Sequence, residues 1–194
     1  MHHPNKHFNT YKEGLNLEFL RKYCEEHGML RIFERGEKFE NVGEPAQWIA
    51  FVERGYFKYM VHNDEENKDY CTGFAFEGEF VGDYPNCLSC RISEVTIVAG
   101  ISCKVFQITG KDLCMLLDQD NRKDIKQAVS DHLLSQVYTQ YLDTYRMTIR
   151  ERYKELISRC PDIVQSLSLK DIASYLKVTP TTISTIRREI TFGL

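Results

Sequence analysis

Residues 168–190 read SLKDIASYLKVTPTTISTIRREI. Ser168 stands three residues before Asp171, the spacing of a capping box with Asp in place of the more usual Glu or Gln, and so opens a helix that runs to Leu176. Thr179-Pro180 opens a second: the threonine caps, and the proline takes the first helical position, where its missing N–H is not needed. With only Lys177 and Val178 between them, the two helices form a helix-turn-helix. Ile172, Leu176, Val178, Ile183 and Ile186 supply a shared apolar face, and Ala173 is small where the helices cross. The turn position usually given to Gly is Lys177, at a cost of ~1 kcal/mol if it adopts the left-handed conformation. Because Ile183 and Ile186 point inward, Thr181, Thr182, Thr185 and Arg188 point outward. A helix of this kind enters the roughly 12 Å major groove of double-stranded DNA, where hydroxyls and methyls read base edges and arginines reach guanine or phosphate. Thr179, Thr181, Thr182, Thr185, Arg187 and Arg188 are therefore the candidate DNA-binding residues, the threonines toward bases and the arginines nearer phosphates.

Charge supports this placement. The 194-residue chain carries a net charge of −3, but residues 147–194 hold eight basic and five acidic side chains against 17 and 23 in the rest. An acidic body with a basic final segment directs only that segment to a polyanion. No apolar run approaches the ~20 residues of a membrane span. The opening MHHPNKHFNTYKEG lacks the apolar core of a secretory signal, and the seven cysteines, an odd number, fit a reducing compartment. The expected location is cytoplasmic, without a membrane partner. His2 and His3 are read as part of a chain end rather than as metal ligands.

Upstream of residue 110 the pattern is one of strands. After a short helix from Leu15 to His27, the runs MLRIF, QWIAFVERGYFKYMV, DYCTGFAF, EVTIVA and KVFQI follow with turn signals between them. The second run, broken at Arg54-Gly55, reads as a hairpin, and residues 63–67, NDEEN, as a further turn. Short strands at this spacing, without helices between them, indicate an antiparallel sandwich or barrel. From Lys111 to about Arg159 there is neither Gly nor Pro. Ile125, Val129, Leu133, Val137, Tyr141 and Tyr145 then form one helical stripe, widened by Leu134, Tyr138 and Leu142. A helix of roughly 25–30 residues is ~40 Å long, more than a small β-domain covers, so the stripe predicts a homodimer. Cys160-Pro161 ends the next helix. The expected divisions are 1–118 for a β-domain, 119–147 for a dimerisation helix and 148–194 for the helix-turn-helix domain.

In this order of parts the chain resembles the Crp–Fnr transcription regulators. FEGEFVGDY (Phe76 to Tyr84) is similar to their entry to a phosphate-binding cassette. RERYKELISRCPDI is similar to the helix leading into their DNA-binding domain, and DIASYLKVTPTTISTIRREI to their helix-turn-helix, most of all in the branch common in Bacteroides-like bacteria. The resemblance implies an α+β fold: an N-terminal double-stranded β-helix (jelly-roll, cyclic-nucleotide-binding-like) domain, a long dimerisation helix and a C-terminal helix-turn-helix. It also implies a homodimer on a palindromic operator, control by a small-molecule effector or by another signal sensed in the β-roll, and RNA polymerase as a partner. The cofactor stays unnamed.

In cyclic-nucleotide-binding members, backbone N–H groups, an acidic residue and an adjacent Arg-Ser pair hold the ligand. Gly82 and Asp83 match the first part. Arg91 and Ser93 match the second only after a shift of one residue, so cAMP binding is expected to be weak or absent. These four are the candidate ligand-binding residues. Oxygen-sensing members hold an iron–sulfur cluster on cysteines near the N-terminus, where this chain has only Cys24. The Cys87-Leu88-Ser89-Cys90 pair is read as two reduced thiols, and no metal site is assigned. An enzyme is not expected: His62 is alone in the β region, and no Gly-rich loop precedes a helix. The alternative is a ligand- or redox-sensing β-roll that no longer binds DNA, for which Lys177 and the short chain after Ile190 speak. Catabolite-activator-like proteins carry arginines where this chain has Pro180 and Thr185, so its operator is expected to depart from their guanine-containing half-site.

Overall fold

Gly55 does not close a hairpin. In a computed structural model, which describes residues 17–118, 123–159, 161 and 165–192, it carries the chain from one sheet to another. The elements are α1 (Glu18–His27), β1 (Met29–Phe33), β2 (Lys38–Glu40), β3 (Trp48–Arg54), β4 (Tyr56–Asn63), β5 (Lys68–Phe76), β6 (Phe80–Val81), α2 (Tyr84–Leu88), β7 (Thr96–Ala99), β8 (Cys103–Thr109), α3 (Gly110–Leu117), α4 (Lys123–Arg146), α5 (Ile149–Arg159), α6 (Leu169–Leu176) and α7 (Pro180–Phe192). One antiparallel sheet has the order β1-β8-β3-β6 and the other β2-β7-β4-β5. β3 pairs with β6 and β8, and β4 with β5 and β7, so these sequence neighbours lie in different sheets. The crossing is tight. Gly55 has φ +95°, and a Cβ there would lie 2.8 Å from Cys103 Sγ and 2.9 Å from the Ser102 carbonyl.

The two sheets form a roll closed over Phe33, Phe39 and Phe57, whose ring centroids are 5.5–5.6 Å apart. Ala50, Val52, Val81, Ile97 and Val105 complete this core. The alternation of β3 sends Ala50 and Val52 into the roll, and Ile49 and Phe51 outward against α1 and α3. β2, β6 and α2 were not expected, because elements of three, two and five residues are too short to show a period. The short N-terminal helix begins at Glu18, with residues 15 and 16 outside those described. Thr109 and Asp112 form a full capping box that starts α3.

The apolar stripe on α4 divides in two. Ile125, Val129 and Leu133 pack within the chain's own core beside α1 and α3. Leu134, Val137, Tyr138, Tyr141 and Tyr145 stay exposed. A third core joins sheet to helices: Tyr56, Cys71, Phe74 and Phe76 meet Tyr153, Leu156, Leu167, Ile172, Leu176, Ile183 and Ile186. Among the described residues no helix is long and apolar enough to cross a membrane.

Candidate nucleic-acid interface and sensor turn

Ser168 caps α6 by accepting the Asp171 N–H at 3.0 Å. The reciprocal half of the expected capping box is not made, because the Asp171 carboxylate turns to Lys58 on β4 at 3.0 and 3.1 Å. Lys177 follows at φ 58°, ψ 47°, the left-handed conformation that Gly usually supplies. This reversal lets the Val178 N–H reach the Ala173 carbonyl at 2.9 Å and aims the chain at α7. Thr179 caps α7 by accepting the Thr182 N–H at 3.2 Å, and the two hydroxyls lie 2.9 Å apart.

On α7, Ile183 and Ile186 are buried, and Thr181, Ser184 and Arg188 are exposed; Thr182 and Thr185 are half-buried at the margins. Ser184 was missed in the sequence, although its i+3 spacing from Thr181 puts it on the same face. Arg187 is drawn inward rather than held out beside Arg188. Its Nε donates to the Tyr153 hydroxyl of α5 at 2.9 Å, and its guanidinium lies 6.0 Å from that ring's centroid. The outer surface of the motif thus carries Lys177, Thr179, Thr181, Ser184 and Arg188, hydroxyls framed by two cations.

The second cluster follows β6. Gly82 has φ +152°, and a Cβ there would lie 2.7 Å from the Trp48 carbonyl oxygen. Asp83 Oδ2 then gathers the chain around it, accepting from Asn86 Nδ2 at 2.8 Å, Ser93 Oγ at 3.0 Å and the Glu94 N–H at 3.2 Å. Gly82, Asp83 and the buried Ser93 therefore meet, whereas the Arg91 side chain is at the surface. Beside this turn sits Glu40, buried, with Oε1 accepting the Gln47 N–H at 3.2 Å and Oε2 unpartnered. Burial raises its pKa to about 7, aided by the charges of Asp83 and Glu44. A turn that sets Asp83 beside Glu40 suits a hydrogen-bond donor better than an anion.

Cys87 is buried and Cys90 exposed, both as free thiols. Burial pushes the Cys87 thiol up to about 12, away from reactive thiolate. Among the described residues no group of three or more His, Cys, Asp or Glu side chains is placed to hold a metal. Cys160 lies outside them. An open cleft of about 940 Å³ lies where the β4–β5 hairpin, α4 and the helix-turn-helix meet, with Tyr70, Gln140, Tyr141, Arg152, Ser174 and Lys177 on its walls.

A roll of two four-stranded antiparallel sheets, a long helix and a terminal helix-turn-helix is the architecture of the Crp/Fnr regulators. Solved structures share it along nearly the whole chain. FixK2 from Bradyrhizobium japonicum superposes with a TM-score of 0.71 at 19% identity, over 86% of each chain. A candidate transcriptional regulator of the Crp/Fnr family from Eubacterium rectale gives 0.65 at 15% identity, over 98% of this chain and 89% of that one. The c-di-GMP-responsive global regulator CLP of Xanthomonas campestris gives 0.58 at 15% identity, over 92% and 93%. No family model matches the chain and no curated protein matches its sequence, so the likeness is one of fold.

Proposed function

We propose that this protein is a DNA-binding transcription regulator of the Crp–Fnr type, not an enzyme. The observation that carries the reading is the left-handed turn at Lys177, which sets α7 out from α6 with Thr181, Ser184 and Arg188 on its open face. That face has the groups that read a major groove: hydroxyls for base edges and a guanidinium for guanine or phosphate. Arg187, bonded to Tyr153, holds α7 on α5.

The protein acts as a homodimer in the cytoplasm. Its exposed Leu134, Tyr138 and Tyr145 on α4 meet the same residues of a second copy. Residues 1–118 sense a signal, 119–147 join the copies and 148–194 bind DNA. The dimer reads a palindromic operator whose half-sites lie about one helical turn, ~34 Å, apart, and works with RNA polymerase. The small-molecule effector is sensed near Gly82, Asp83 and Ser93, without Arg91 as a phosphate ligand.

Selection of bound duplexes from a random library tests this reading. It should enrich a palindrome, and Arg188→Ala should weaken binding to it by about 1–3 kcal/mol. A strongly enriched non-palindromic site, or no enrichment either by the ligand-free protein or with any of a panel of small ligands, cyclic nucleotides included, would overturn it.

A further inference from the structure

Glu79 and Arg159 face each other across the boundary between the roll and the helices, side chains 4% and 2% exposed. Arg159 Nη2 donates to both carboxylate oxygens at 3.1 and 2.9 Å and to the Phe74 carbonyl at 3.2 Å. Its guanidinium lies 4.7 Å from the centroid of the Phe76 ring. The carboxylate is fixed from its own side as well, accepting the Phe76 N–H at 2.9 Å. An ion pair so deeply buried adds little net stability over an apolar pair of the same shape, because both ions lose their hydration. What it supplies is one permitted docking geometry.

Its position along the chain gives that geometry a use. Glu79 is followed at once by β6, and β6 by Gly82 and Asp83, so the carboxylate that gathers Asn86, Ser93 and Glu94 is four residues from the pair. The Glu79 carbonyl accepts the Val52 N–H at 2.9 Å, which fastens this short segment to β3. On the other side, Arg159 is the last residue of α5. The same helix carries Tyr153, which accepts the Arg187 bond from α7. Two hydrogen-bonded pairs, Glu79–Arg159 and Tyr153–Arg187, joined by a short segment of chain and by α5, thus connect the turn to α7.

We propose that the Glu79–Arg159 pair is the joint that transmits the state of the Gly82–Asp83 turn to the position of α5 and α7. Both are positioning residues, since neither lies on the outer face of α7. The naming of α7 as the DNA-reading helix rests on the function proposed above; the mechanical coupling does not.

Hydrogen exchange of the full chain, resolved by peptide, tests the joint without a ligand. Ser93→Ala removes one donor from Asp83 and should speed exchange in residues 153–190 by about threefold. In a background carrying Glu79→Leu with Arg159→Leu, which leaves no charge buried alone, the same change should leave those residues unaltered. If that background does not fold, Glu79→Met with Arg159→Met, which keeps the length of both side chains without the ion pair, serves for the comparison. Equal acceleration in both backgrounds, or none with the pair intact, overturns the proposal. Where the selected duplex binds, it should slow exchange at residues 80–94 with the pair intact and not without it, because coupling between sites is reciprocal. If no duplex binds, the DNA reading falls, and the ligand-free comparison still decides the joint.

Discussion

The ammonium of Lys58 on β4 lies 3.0 Å from one carboxylate oxygen of Asp171 on α6 and 3.1 Å from the other. Two residues 113 positions apart thereby pin the first helix of the helix-turn-helix to the face of a sheet. Nearby, the Cys71 N–H donates to Ser174 Oγ at 2.8 Å, and the Tyr56 hydroxyl to the Ser166 carbonyl at 3.3 Å. Both charges are mostly shielded from water, at 22% and 13% exposure, so their attraction is screened less than that of a surface pair. Lys58→Met and Asp171→Asn should each destabilise the protein by about 1–2 kcal/mol. Their double-mutant cycle should return a coupling of about 1 kcal/mol in urea unfolding. Additive effects would mean that the pair is not held in solution.

Lys177 is held at φ 58° without the freedom of Gly. Lys177→Gly should raise stability by about 0.5–1 kcal/mol, after allowance for the greater entropy of Gly in the unfolded chain. Thermal unfolding would show it as a higher midpoint. A lower midpoint would mean that the lysine side chain makes a contact worth more than the strain.

Glu40 makes stability depend on pH in a direction opposite to the usual carboxylate. Its pKa is raised from the ordinary value near 4.5 to about 7 in the folded state, so between those values the native protein holds a proton that the unfolded chain releases. The group's contribution is therefore full below about pH 4.5 and is lost progressively as pH rises to about 7, with no further change above. Glu40→Gln should remove that loss, leaving the variant more stable than the parent at pH 8 by on the order of 2 kcal/mol and similar to it at pH 4.5. Paired urea titrations at the two pH values check this. An equal difference at both would place the carboxyl's ionisation elsewhere.

On α4 the two halves of the apolar stripe should respond differently. Val129 is buried in its own chain's core, so Val129→Glu should damage the fold rather than only separate copies. Leu134 is 70% exposed and Tyr138 61%, so Leu134→Glu with Tyr138→Glu should give folded monomers. Sedimentation of the parent at micromolar concentration should show a dimer. A monomer there would remove the assembly proposed.

Binding of cAMP should be weak or absent by titration calorimetry, since the Arg91 side chain is at the surface and Asp83 is already hydrogen-bonded to Asn86, Ser93 and Glu94. Micromolar or tighter binding would require Arg91 to turn inward as the phosphate partner.

The helix-turn-helix was legible in the sequence because its determinants are local. Ser168 caps through a residue three positions on, Thr179 does the same, Pro180 fits a first turn, and Ile183 and Ile186 repeat at helical spacing. Within the site, the meeting of Gly82 and Asp83 was readable from their adjacency. The roles of Ser93 and Arg91 were not, because they depend on which way a loop turns its side chains. Alternation identified β3 and β4 as strands and could not assign their partners, since a strand buried on both faces pairs equally well with any neighbour in register. Gly55 reads the same in sequence whether it closes a hairpin or carries the chain across a roll, and its contact with Cys103, 48 residues away, decided the second. The diversion of Asp171 from its capping box to Lys58, the inward turn of Arg187 and the burial of Glu79 against Arg159 were likewise settled by tertiary structure. Local hydrogen bonds and periodicity are written within a few residues. The partners of buried charges and sheet edges are chosen only when distant segments compete for the same space, and no local pattern encodes that competition.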